Sequence, residues 1–270
     1  MCETSKALLC TGRSPARVRL ISGFVKISSR LKIFFQAAYF VIIRFYLFQP
    51  TAPSAVCPHG SLMQAQFITL DGIDGAGKST NLDVIRNWFD KRRLPVLFTR
   101  EPGGTPLGEA LREILLNPAT QAGLRTETLL MFAARQQHIE NVILPALQRG
   151  VHVVSDRFTD ATFAYQGGGR GVSFADIEML ENWVQGSLRP DLTLLLDVPL
   201  EVSMSRIAQA REKDRFEQEE ADFFTRVRDA YLGRAAAAPE RYALIDSNRD
   251  LALVRQSVEE ALSRHFQKPA

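Results

Sequence analysis

From residue 63 to its C-terminus the chain has no cysteine. That excludes disulfides, a thiolate metal site and a cysteine nucleophile from this part of the sequence. The first 62 residues have a different scarcity: a single acid, Glu3, against eight bases, together with all three cysteines (Cys2, Cys10 and Cys57). The net charge of +3 therefore averages a basic opening and a net acidic remainder, and carries no message about nucleic acid. Long apolar runs are missing too. Ile33 to Phe48 is mostly apolar, but Gln36 and Arg44 interrupt it. It falls short of the roughly 20 residues that a spanning helix needs. A secretory signal would want a cleaner apolar core and a small-residue cleavage site. A basic, acid-poor, Ser-containing opening also suits an organelle transit peptide. The leading expectation is that Met63 is the native start and that residues 1–62 stand outside the fold, with residues 63–270 as one domain.

Residues 63–270 are enough for a single α/β domain with a sizeable core. Apolar strand candidates recur at Phe67–Leu70, Val96–Thr99, Val151–Ser155, Leu192–Asp197 and Tyr242–Ile245. Each is apolar almost throughout, as strands covered on both faces are. Between them, Thr126 to Gln148 places Phe132, Ile139, Val142, Ile143, Ala146 and Leu147 at helical spacing, and Gly150 supplies a stop. Such alternation predicts a five-stranded parallel sheet with helices on both faces, whose ligands lie beyond the carboxyl ends of the strands.

The first of those ends carries Gly72-Ile73-Asp74-Gly75-Ala76-Gly77-Lys78-Ser79, which fits the phosphate-binding pattern G-x-x-x-x-G-K-[ST]. Its context is right: a short apolar strand precedes it, and Leu82, Ile85 and Phe89 recur behind it at helical spacing. Glycines bring backbone N–H groups against phosphate oxygens, Lys78 adds a point charge, and the Ser79 hydroxyl suits Mg²⁺. A nucleoside triphosphate is the expected ligand. After the second strand, Arg100-Glu101-Pro102-Gly103-Gly104-Thr105 makes a charged rigid turn, and after the third stands Asp156-Arg157. A charged pair ending an apolar strand needs a charged partner, either a structural ion pair or a ligand. Further on, Ala164 to Gly171 has too many glycines for a helix interior, and its aromatic, amide and arginine suit a pocket wall.

In their order and spacing these segments resemble the thymidylate kinase family of bacterial type, as does the later Asp214-Arg215-Phe216-Glu217-Gln218. The resemblance runs from Met63 to the C-terminus and leaves the first 62 residues unmatched. It implies a P-loop nucleoside monophosphate kinase-like fold with a short arginine-bearing lid, and transfer of the γ-phosphate of ATP to dTMP. It also implies Mg²⁺ as cofactor, a homodimer paired through long helices, a cytoplasmic location, and no nucleic-acid or membrane partner. A phosphate acceptor is mostly ionised at neutral pH, since its second pKa is about 6, so no general base is required. The task is positioning and charge stabilisation.

The resemblance implies roles for individual residues. The loop from Gly72 to Thr80 would cradle ATP, with Ser79 on Mg²⁺ and Asp156 reaching the ion through water. Arg157 would bridge donor and acceptor phosphates. The phosphate loop itself has no arginine, so the lid stretch Arg211 to Arg215 would supply one, Arg215 within the matching motif and Arg211 beside it. Asp74 and Glu101 would lie near the deoxyribose and the phosphate–Mg²⁺ network, and Arg112 on the phosphate side. Arg135 would donate to thymine O4, Thr162 and Gln166 would meet the base edge at N3, and Tyr165 would lie beneath the sugar. Phe132 is expected to stack on the base, although the family's phenylalanine stands one residue earlier, at Met131. Two alternatives are another nucleoside or nucleotide kinase, and a regulatory nucleotide switch. The chain has no Asn-Lys-x-Asp guanine-reading motif to favour the switch.

Overall fold

The computed structural model describes residues 64–208, 216 and 219–267. Residues 1–62, Arg211 and Arg215 lie outside the described residues. The sheet is built of β1 (Phe67–Asp71), β2 (Val96–Arg100), β3 (His152–Asp156), β4 (Leu192–Asp197) and β5 (Tyr242–Asp246). Their order is β2-β3-β1-β4-β5 and every pairing is parallel. The chain leaves β1 toward one edge and later crosses to the other, so the switch point lies beside β1, where such sheets open a ligand crevice.

All five residues of β1 are buried, and successive side chains point to opposite faces. Phe67 joins one apolar cluster with Val153, Ile139, Ile143 and Phe158, whereas Ile68 and Leu70 join a larger one with Val154 and Leu194. Both faces of the sheet are therefore covered. Helix α1 (Lys78–Arg92) contributes Trp88 and Phe89 to the larger cluster, as α9 (Leu251–Gln267) contributes Val258 and Leu262.

Helix α2 (Pro106–Leu116) starts with Pro106, and the Thr105 hydroxyl accepts the Gly108 N–H at 3.0 Å, two features that specify a helix start. The long apolar pattern expected over Thr126–Gln148 begins slightly earlier. It divides into α3 (Leu124–His138), a π-helical turn (Ile139–Ile143) and α4 (Leu144–Gln148). After β3, α5 (Thr159–Thr162) runs into a second π-helical stretch, Phe163–Gly169. The glycine-rich run is thus helical, contrary to the reading from composition. Its glycines admit a neighbour: a Cβ on Gly168 would stand 2.6 Å from the Ala230 Cβ, and one on Gly169 would stand 2.4 Å from the Phe223 ring. Ala230 and Phe223 belong to α8 (Ala221–Ala237). Helices α6 (Phe174–Gln185) and α7 (Leu200–Ala208) complete the described elements.

Candidate active site

The carboxyl ends of β1, β2 and β3 open onto a cleft of about 640 Å³. On one side lies the phosphate loop. Gly75 takes φ +74°, and a Cβ there would meet the Ser203 carbonyl oxygen at 2.6 Å, so only glycine fits. Ile73 and Ala76 turn their side chains into the core and leave their backbone to the loop. The loop is braced from behind, because the Ser203 and Ser247 hydroxyls donate to the carbonyls of Asp74 (2.6 Å) and Ala76 (2.5 Å). Lys78 folds over the loop and donates to the carbonyls of Gly72 (3.0 Å) and Ile73 (2.9 Å). Burial, and then the neighbouring Arg157, hold its ammonium below the usual lysine range. Ser79 lines the cleft, whereas Thr80 is exposed and does not.

At the end of β3, Arg157 takes φ +66°, an uncommon conformation outside glycine. It aims its guanidinium across the cleft floor. One nitrogen donates to Asp74 Oδ1 at 2.5 Å and to the Tyr165 hydroxyl at 3.0 Å, and the other donates to the Tyr231 hydroxyl at 3.1 Å. Tyr165 in turn donates to Asp74 Oδ2 at 2.7 Å. Burial works to raise the Asp74 carboxyl, but Arg157 and Lys78 outweigh it and hold the group well below the usual carboxylate range. Behind this layer, Tyr231 donates to Asp71 Oδ1 at 3.1 Å. Asp71 is fully buried, and burial together with the charge of Asp160 pushes it up from 3.8 to about 7. Asp156 keeps its Oδ1 buried with no hydrogen-bond partner among the described residues.

Across the cleft stands a second polar group. Arg135, on α3, is almost fully buried. Its Nε donates to Glu101 Oε2 at 2.8 Å, and one terminal nitrogen donates to the Thr162 hydroxyl at 3.0 Å. The other, Nη1, is buried with no hydrogen-bond partner among the described residues. Glu101 uses its second oxygen on His138 Nδ1 at 2.9 Å, while His138 Nε2 meets the Thr99 hydroxyl at 2.6 Å. Gln166 donates its amide to Glu127 at 2.9 Å. Arg112 donates to the Pro102 carbonyl at 2.9 Å from the phosphate side.

Asp74, Lys78, Ser79, Glu101, Arg112, Arg135, Asp156, Arg157, Thr162, Tyr165 and Gln166 thus converge on one cleft. One expectation changes. Phe132 is not on it: its ring is buried with Phe163 and Ile177 and lies beneath the Arg135 guanidinium at 4.7 Å. Met131, one residue earlier, lines the cleft instead. Glu101 lines the cleft and accepts from Arg135, with His138 on its other oxygen. Sequence reasoning missed His138, Glu127, Tyr231 and Arg206. His138 stands three residues after Arg135 on the same helix face, a spacing that marks it as a neighbour. Arg206 donates to the carbonyls of Gly75 and Ser247, adding a cation beside the phosphate loop.

A family model described as thymidylate kinase matches residues 70–258. A thymidylate kinase of Neisseria gonorrhoeae (strain NCCP11945) is 79% identical over 204 residues, which cover 76% of this chain and 99% of the relative. One of Chromobacterium violaceum is 56% identical over 205 residues, covering 76% of this chain and 97% of the relative. Among solved structures, thymidylate kinase from Ehrlichia chaffeensis aligns with a TM-score of 0.60 at 31% identity, over 74% of this chain and 99% of that one.

Proposed function

The chain belongs to the thymidylate kinase family and is an ATP-dependent phosphotransferase acting on dTMP; from that premise we propose how its cleft divides the work. The phosphate loop and Lys78 take the β and γ phosphates of ATP. Arg157 lies between the loop and the acceptor side, and its guanidinium exchanges Asp74 and Tyr165 for phosphate oxygens as the substrates enter. Arg112 and Arg206 add positive charge to the same region, which suits a reaction that brings two polyanions together. Arg215, with Arg211 beside it, completes the charge from the lid.

The acceptor's base lies against the Arg135 wall. The observation that carries this reading is the buried Nη1 of Arg135, because an unpaired buried donor is costly unless a ligand completes it. A thymine O4 is such an acceptor. Glu101 and Thr162 hold the other guanidinium nitrogens and so aim this one. Met131 takes the face of the base, Phe132 supports Arg135 from behind, and Tyr165 walls the sugar.

Mg²⁺ fits the donors present: the Ser79 hydroxyl directly, and the buried, unpartnered Asp156 Oδ1 through water. No cluster of three or more His, Cys, Asp or Glu able to hold a metal occurs among the described residues. Held by Ser79 and, through water, by Asp156, the ion would supply positive charge against the phosphates.

A homodimer is proposed on the face where α2, α3 and α6 pack together. It leaves Leu129 54%, Met179 65% and Trp183 81% exposed, a cost in apolar surface that a second copy would remove. No described helix is long and apolar enough to cross a membrane. We propose ATP and dTMP as its partners, a cytoplasmic location, and no nucleic-acid or membrane partner. ADP release measured with and without dTMP tests the function. Release that requires dTMP supports it, and equal release without acceptor would point to a nucleotide switch.

A further inference from the structure

The geometry points to Glu127 as a positioning residue for base selectivity, which holds the Gln166 amide so that only its carbonyl oxygen faces the base. This rests on the reading of Gln166 as a base-edge residue. Glu127 is fully buried in the first turn of α3 and does not itself line the cleft. Its Oε1 accepts a hydrogen bond from Gln166 Nε2 at 2.9 Å and lies 3.4 Å from Arg170 Nε. Arg170 also reaches Glu219 at 2.7 Å. A carboxylate only accepts hydrogen bonds, so the half of the Gln166 amide that meets it must be the NH₂. The carbonyl is the half left for the cleft.

The backbone gives the amide little other freedom. Gln166 lies in the π-helical stretch that α8 presses against through Gly168 and Gly169, and its backbone carbonyl accepts the Val172 N–H at 2.9 Å. What remains is the choice of which end of the amide faces the ligand, and Glu127 makes that choice. Beside it, Arg135 can only donate.

The cleft lining thus holds one donor, from Arg135, and one acceptor, from Gln166. Thymine offers the complement, O4 as acceptor and N3–H as donor. Cytosine reverses both, with an amino group where O4 stands and a bare N3. With Glu127 in place, cytosine meets donor against donor and acceptor against acceptor. Without it, the Gln166 amide can turn over and donate to cytosine N3, and half of the rejection disappears.

The test compares kcat/KM for dTMP and dCMP, at saturating ATP, in the wild type, Glu127→Met, Glu127→Gln and Gln166→Ala. Glu127→Met should lower the dTMP-to-dCMP ratio by about tenfold or more, the scale of one mispaired hydrogen bond. The change should fall on the KM for the monophosphate and not on the KM for ATP. Glu127→Gln presents either a carbonyl or an NH₂, so it no longer dictates which end of the Gln166 amide faces the base, and it should lower the ratio as well. A wild-type ratio in Glu127→Met, beside a lowered one in Gln166→Ala, would overturn the role of Glu127 alone. An unchanged ratio in Gln166→Ala would instead remove Gln166 from the base edge. Should Glu127→Met fail to fold, exchange of the Gln166 side-chain amide protons in wild-type enzyme decides, by NMR. Slow exchange supports the buried bond to Glu127, and exchange at the rate of a free amide contradicts it.

Discussion

Asp74 and Arg157 meet at 2.5 Å, joining the phosphate loop to the end of β3. The pair keeps the Arg157 guanidinium inside the cleft, at a residue whose backbone already sits in the left-handed region. Positive-φ side chains of this kind persist where the surroundings enforce them, and such positions cluster at functional sites. Asp74 also spans Tyr165 and approaches Lys78 at 3.6 Å, so one carboxylate ties three of the cleft's polar groups together. Asp74→Asn keeps the shape but removes the charge that opposes Arg157 and Lys78. Turnover at saturating substrates should fall by about tenfold or more, with a smaller change in the melting temperature. Steady-state kinetics and calorimetry on the same preparation check this, and a stability loss without a turnover loss would make the pair structural.

Asp71 should leave a mark on stability against pH. Its carboxyl is raised to about 7 in the folded protein, so the native state holds a proton that the unfolded chain gives up near 3.8. The stability this confers is complete below about 4 and is lost as the pH rises through about 7. Asp71→Asn cannot lose that proton. Relative to wild type, its melting temperature should therefore improve between pH 4 and 7 and level off above. Parallel melting curves across that window would show that Asp71 does not titrate there.

Arg215 lies in the stretch Arg211 to Arg215, outside the described residues, and its role is inferred from the absence of arginine in the phosphate loop. On the proposed role, a charge that meets the transferring phosphate, its loss should lower kcat more than it raises either KM. Arginines in such positions are worth roughly 10³-fold in rate. Arg215→Ala should fall toward that range, and Arg215→Lys should recover little, since an ammonium lacks the planar fork. Near-normal turnover in Arg215→Ala would move the role to Arg211.

Enzyme beginning at Met63 should fold and turn over at the full rate. Comparing its kcat and solubility with those of the whole chain checks the expectation that residues 1–62 stand outside the catalytic fold. Loss of most activity would give that segment a part in it.

The sheet and the phosphate side were legible in the sequence because their signals are local. A buried parallel strand is a short apolar run, and a phosphate loop is one contiguous string from Gly72 to Ser79. The base side was legible only in part. Arg135, Thr162 and Gln166 stood in recognisable segments, but what orients them is distant: Glu101 is 34 residues from Arg135, and Glu127 is 39 from Gln166. Tyr231 lies 74 residues beyond Arg157. The choice between Met131 and Phe132 turned on about 100° of helix rotation, which spacing relative to Arg135 could not resolve because both residues lie near its face. The glycine run misled for a related reason. Its glycines serve the close approach of α8, a tertiary contact that composition cannot express.

The central claim is that the cleft separates reading of the base, by Arg135, from transfer of the phosphoryl group, by Arg157. Two-substrate steady-state kinetics of Arg135→Ala and Arg157→Ala test it most directly. Arg135→Ala should raise the KM for dTMP by about 10- to 100-fold, the scale of about 1–3 kcal/mol for one lost buried donor, and leave the KM for ATP nearly unchanged. Arg157→Ala should instead lower kcat by roughly 10³-fold with smaller changes in either KM. If both variants lose kcat to the same extent, or if Arg135→Ala weakens ATP and dTMP alike, the division of the cleft is wrong.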